Sequence, residues 1–106
     1  MPKFVIAYHG APQFSSKEEG MAHMTAWKAW SQGMGAAVVE PGWPVGPSKT
    51  LASDGAVSDD GGSNPISGVS VIEAASMEEA LALVKPCPHL SAGGTIEIAE
   101  AMDMEM

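Results

Sequence analysis

The sequence predicts an α+β fold in which two helices cover one face of an antiparallel sheet, and three observations lead there. Two serine-led capping boxes, Ser15-Ser16-Lys17-Glu18-Glu19 and Ser76-Met77-Glu78-Glu79, mark two helix starts. Four short apolar segments rich in β-branched residues lie around them. The resulting order is strand, helix, strand, variable hairpin, strand, helix, strand. That is the split pattern of a ferredoxin-like βαββαβ domain carrying an additional hairpin. At 106 residues the chain has length for one such core and not two. Residues 1–101 are read as the domain and 102–106 as a tail.

The first strand, Lys3 to Tyr8, is apolar on both alternating faces. His9-Gly10-Ala11-Pro12 ends it with turn formers. The first helix runs from the Ser15/Ser16 cap to about Met34, where Gly33 and Gly35 supply the stop. His23, Trp27, Trp30 and Met34 share one stripe at helical spacing, with Lys17, Glu18, Thr25, Lys28 and Gln32 assigned to the other side. Ala36 to Glu40 reads as a second strand closed by Pro41-Gly42. The Gly-, Pro-, Ser- and Asp-rich stretch from Pro41 to Pro65 reads as a loop system, with a small hairpin around Asp54-Gly55. Gly68 to Glu73 is the third main strand. The second helix follows Ser76, places Met77, Ala80, Leu81 and Val84 on a narrow stripe, and stops at Pro86. Thr95 to Ala99 is the last strand. In the tail, Met102, Met104 and Met106 alternate with Asp103 and Glu105. Two distinct faces arise there only in an extended chain, so the tail is expected to fray from the last strand without binding metal.

Charge excludes several classes of partner. The chain has 13 acids, five lysines, no arginine and a net charge of −8. Residues 1–53 carry +1 and residues 54–106 carry −9. Nucleic-acid binding rests on basic patches and bidentate arginine forks, so no nucleic acid is expected; anionic membranes are disfavoured by the same charge. No segment has the length of a signal-peptide core or a spanning helix, which sets a cytoplasmic protein as the expectation. A lone Cys87 excludes an internal disulfide and a cysteine-based zinc site. No phosphate loop, dinucleotide fingerprint or nucleophile elbow occurs, and no cofactor or metal is expected. Because the first strand is apolar on both faces and two helices cover one, a second copy is expected to cover the other, giving a homodimer.

His23 is the leading candidate for chemistry, since an imidazole on an aromatic stripe needs a hydrogen-bond partner or a wet cavity. The competing reading is a core histidine satisfied by one backbone carbonyl. Tyr8 and His9 end the first strand, where a pocket-facing side chain is geometrically natural, and the Tyr8 hydroxyl suits orienting a ligand carbonyl. Trp27 reads as core or pocket wall. Trp43, between Gly42 and Pro44, has no periodic place in the core and reads as a lid or dimer contact.

With its elements in this order, the chain resembles the YCII-related family of dimeric α+β barrel proteins, including its DGPF-type branch, over about residues 3–101. The resemblance is carried by the block Gly68 to Val84, by Cys87-Pro88-His89-Leu90 and by Gly93-Gly94-Thr95-Ile96-Glu97-Ile98. It implies a ferredoxin-like protomer, a dimer, and a pocket between the first helix and the sheet. His23 matches the first-helix histidine of YCII-like proteins, for which a His–Asp pair has been proposed. Asp60 matches the DGPF aspartate, although the chain reads Asp60-Gly61-Gly62-Ser63 where the branch has Asp-Gly-Pro-Phe. Prototype-like members carry an acid just after the first strand, where this chain has His9. The resemblance places His89 near the pocket mouth or dimer edge. By residue type alone, Asp60 is a turn former and His89 stabilises a turn. Two functions follow. One is cofactor-free acid–base chemistry, such as isomerisation, on a small apolar molecule, with His23 as base or acid and an Asp or Tyr8 assisting. The other is a non-catalytic module that binds a small ligand or a protein. The first needs a carboxylate within reach of His23; the second needs only an apolar pocket.

Overall fold

A computed structural model describes residues 1–10 and 12–103. The elements are β1 (Lys3–His9), α1 (Lys17–Met34), a 3₁₀ turn (Gly35–Ala37), β2 (Val38–Pro44), β3 (Thr50–Leu51), β4 (Val57–Ser58), β5 (Ile66–Glu73), α2 (Met77–Val84), α3 (Pro88–Ser91) and β6 (Thr95–Glu100). The main sheet has the order β2-β5-β1-β6, with every neighbouring pair antiparallel, and β3 and β4 form a separate hairpin. This is the ferredoxin-like arrangement with one added hairpin.

The capping chemistry sets the helix starts. Ser16 Oγ accepts from the Glu19 amide at 3.1 Å, and Ser76 Oγ accepts from the Glu79 amide at 3.2 Å. Ser15, the alternative register, instead donates to the Glu19 carboxylate at 2.6 Å. In the second cap, Glu79 reaches back to the Ala75 amide at 3.2 Å, satisfying a second orphan donor.

Alternation along the strands separates two faces. Phe4, Ile6 and Tyr8 from β1 join Ser70 and Ile72 from β5 under the helices, and all five are buried. Ala80, Val84 and Cys87 close this core from above, with Trp27, Trp30, Met34, Leu83, Ile96 and Ile98 packed at its margin. The opposite face carries Val5, Ala7, Val69, Val71 and Ala99 among Lys3, Glu40, Glu73 and Glu97, with no element above it among the described residues. Val5 is 41% exposed there. The molecule is accordingly a slab, 45 × 43 × 18 Å.

α1 presents the expected stripe to the sheet, yet none of its residues is fully buried. His23, Trp27, Trp30 and Met34 are each half-buried because the helix stands off the sheet, and the Trp30 indole ties it to α2 by donating to the Leu83 carbonyl at 3.0 Å.

Several boundaries differ from the sequence reading: β1 runs on to His9 and β5 starts earlier, at Ile66. β2 starts only after a 3₁₀ turn and then runs through Pro41-Gly42 to Pro44, with register shifts on either side of Glu40. The Cys87–Leu90 segment forms a one-turn helix, with Pro88 at its first position, where a missing amide is harmless. β6 ends at Glu100; Ala101 still donates to the Lys3 carbonyl at 2.8 Å, and Met102 is exposed. Met104 and Met106 lie outside the described residues.

The bulge in β2 is pinned at Gly42. Its φ is +77°, its amide donates to the Glu40 carboxylate at 3.0 Å, and a Cβ there would collide with the Val69 carbonyl. We expect Gly42→Ala to lower unfolding free energy by roughly 2–4 kcal/mol. Gly33→Ala, a helical position with open space around it, should raise it by about 0.5–1 kcal/mol. Denaturant unfolding of the two variants checks both signs.

Candidate functional site

The gap between α1 and the sheet is a cavity of about 460 Å³. Tyr8 and His89 line it together with His23, Met24, Trp27 and Lys28 from α1, while Pro41 to Pro44 and Ser67 to Ser70 form the wall from β2 and β5. Most of this surface is apolar.

Tyr8 is fixed by a directional relay. Ser70 Oγ lies 2.8 Å from the Pro41 carbonyl, which can only accept, so the serine spends its single hydrogen there. Tyr8 Oη, 3.0 Å from the same Oγ, must therefore be the donor. The relay Tyr8 to Ser70 to Pro41 crosses three strands and leaves the phenol oxygen with lone pairs alone. Burial pushes the Tyr8 phenol up to about 12, so it stays protonated at neutral pH.

His23 is fixed from its own helix. The Trp27 indole, a donor only, gives its N–H to His23 Nε2 at 2.7 Å. The imidazole is thus neutral, with its hydrogen on Nδ1. Its affinity for a second proton falls below the ordinary histidine value through desolvation first and the neighbouring His89 second. Phe14 lies against the His23 ring with centroids 4.8 Å apart.

His89 enters from α3 and is 4% exposed. Its Nε2 donates to the His9 carbonyl at 2.7 Å, which sets its tautomer. The ring rests on Gly94, where any Cβ would run into it. Tyr8, Trp27 and His89 then pack edge to face, the Tyr8–Trp27 centroids 5.0 Å apart and the Tyr8–His89 centroids 5.7 Å apart. Cys87 lies in the core, and burial pushes its thiol up to about 11, so it is poorly nucleophilic.

The structure brings together Tyr8, His23, Trp27, Trp43 and His89. It does not bring His9 or Asp60 to them. His9 follows Tyr8 on the strand and falls on the opposite face, with Nδ1 3.0 Å from the Asn64 carbonyl and Nε2 3.2 Å from the Glu97 carboxylate. Asp60 is an exposed turn residue whose carboxylate accepts from the Gly62 amide at 3.1 Å, closing an Asx turn. Trp43 is 64% exposed, and its pairing with Val69 puts its side chain toward the uncovered face, so cavity rim and open face meet there.

Ser70 and Lys28 escaped the sequence reading. Alternation with Ile72 carried the signal for Ser70. Lys28 adjoins Trp27 on α1; it is exposed, as assigned, and it also lines the cavity's edge. Among the described residues, no group of three or more His, Cys, Asp or Glu is placed to hold a metal ion. Among the described residues, no helix is long and apolar enough to cross a membrane.

A ferredoxin-like protomer with a cavity between its first helix and its sheet defines the class of protein. The family model described as "YCII-related domain" matches residues 1–105, and the chain belongs to that family. No curated protein matches the chain.

The desolvated His23 has a pH signature. Because the folded state holds His23 below its unfolded value of 6.5, its contribution to stability is full above pH 6.5 and is lost as pH falls through the lowered folded value. NMR titration should place the His23 midpoint below 6.5, with the Trp27 indole N–H signal moving in the same transition. In Trp27→Phe the midpoint should rise toward 6.5. Equal midpoints in both proteins would show that the indole does not hold the imidazole neutral.

Proposed function

We propose that this YCII-related protein is a binding module for a small, flat, apolar molecule held between α1 and the sheet. The observation that carries this is the Trp27 N–H on His23 Nε2 at 2.7 Å. A general base offers a free lone pair to the proton it removes, and this lone pair already accepts from an indole. The carboxylate expected to assist, Asp60, is engaged in its own turn. What the cavity offers is an edge-to-face aromatic wall, a lone-pair-bearing phenol oxygen and an apolar floor. That composition suits orientation and burial of a ligand. Acid–base chemistry at His23, the isomerase reading, requires Trp27 to release the imidazole first.

Calorimetric titration with 2-naphthol should give saturable binding, with the indole signal of Trp27 shifting on addition of the probe. His23→Gln should keep affinity within a few-fold. Absence of saturable binding at millimolar probe would overturn the reading. A reaction of any bound molecule that His23→Gln abolishes would favour catalysis instead.

We also infer that the uncovered sheet face packs against a second copy. A monomer of 10.9 kDa has an accessible surface of roughly 5,600 Å². This chain exposes 7370 Å², about a third more. The excess, roughly 1,800 Å² for one chain, is about twice the roughly 800 Å² that each partner contributes to a standard interface, and the face available for such an interface is the apolar one around Val5, Val69 and Val71. Light scattering should return twice the chain mass. Val71→Glu should return one chain mass with the protomer still folded. A wild-type mass of one chain at micromolar concentration would remove the dimer.

A further inference from the structure

We propose that the cavity selects an apolar monocarboxylate, with the Lys28 ammonium as the partner of its single negative charge; this rests on the cavity being a ligand site. The lining sets the argument. In a chain of 13 acids and five lysines, the cavity wall includes Lys28 and two histidines, and no aspartate or glutamate. Lys49 to Asp59 and His9 to Glu97 are the ion pairs among the described residues, so Lys28 has no carboxylate of its own there. Glu40 lies close in sequence to the Gly42 wall, but its carboxylate is held on the Gly42 amide, and its pairing with Val71 places it with the opposite face.

The chemistry then narrows the ligand. The net charge of −8 repels anions at long range, but salt screens that field over about 10 Å. What acts on a bound molecule is the local charge, one flexible cation at the mouth of an apolar cleft. Lys28 lines the cavity beside Met24 and Trp27 and is itself exposed, so its charged end stays within reach of water. A flat hydrocarbon body lies against the packed Tyr8–Trp27 pair while a terminal carboxylate meets Lys28 at the rim, still partly hydrated. A doubly charged phosphate is a poor match, since one cation would face two charges beside an apolar wall and no arginine exists to fork it.

Three probes of one ring system separate the possibilities: 2-naphthoate, its neutral amide 2-naphthamide, and 2-naphthyl phosphate, titrated by calorimetry into the intact protein at pH 7.5. At low salt, naphthoate should bind roughly three- to tenfold more tightly than the amide, the range of a partly exposed ion pair, and more tightly than the phosphate. The preference should shrink at high salt, vanish in Lys28→Gln and persist in Lys17→Gln, an exposed lysine on the same helix. Equal binding of acid and amide would refute the charge selection while leaving the ligand site standing. A preference that survives Lys28→Gln would assign the anion to another group. Tighter binding of the phosphate would overturn the ligand class. Failure of all three to bind would remove the ligand site itself.

Discussion

A sheet with two apolar faces needs two covers, and this chain supplies helices for one. That constraint governs the rest of the molecule. Both helices must lie on the Phe4, Ile6 and Tyr8 side, and the last main strand, β6, must enter beside β1 to let α2 and α3 cross back over the sheet. The far side is left with valines and alanines ringed by Lys3, Glu40, Glu73 and Glu97, a surface of low charge density at its centre. The slab shape and the surplus of surface are two expressions of the same shortage.

The cavity arises from how α1 meets its half of the sheet. α2 carries small residues inward and seats closely, burying Ala80 and Val84. α1 carries two tryptophans and a histidine inward, and bulky rings at one turn's spacing hold a helix away from its neighbour. Polar atoms brought into such a gap need partners, and four side chains find them close to home. Trp27 turns to His23, Trp30 to a carbonyl of α2, Tyr8 to Ser70, and His89 to the β1 backbone. These four bonds frame the opening, while the buried Ser67 hydroxyl on its wall has no partner among the described residues.

How much of this could be read in the sequence differs by residue. Capping boxes and the double-sided first strand are local signals, and local chemistry decided them; of the α2 stripe only Ala80 and Val84 are buried, while Met77 and Leu81 are exposed. The His23, Trp27, Trp30 stripe was legible too, because helical spacing survives a helix standing off its sheet. Periodicity is silent on where a stripe ends, so Lys28, one residue past Trp27, was assigned to solvent. Pro41-Gly42 looks like a strand terminator, yet β2 absorbs it as a bulge because Ser70 and Val69 on the neighbouring strand accommodate it. His9 and Tyr8 are adjacent, and the pleat sends only one of them inward. Asp60 rested on a motif whose last two residues this chain lacks, and its carboxylate serves its own turn.

The β3–β4 hairpin has a different relation to the whole. All its residues from Thr50 to Ser58 are exposed, and its ties are its own ladder, the Lys49–Asp59 pair at 2.6 Å and the Thr50 hydroxyl on the Asp60 carbonyl at 2.8 Å. None of these holds a wall of the cavity. Lengthening a flexible tip adds closure entropy only logarithmically, about 0.6 kcal/mol for each doubling. The Ser53-Asp54-Gly55 tip is thus a port where foreign sequence, a peptide tag or a whole folded insert, can be spliced while the β2-β5-β1-β6 sheet keeps its register.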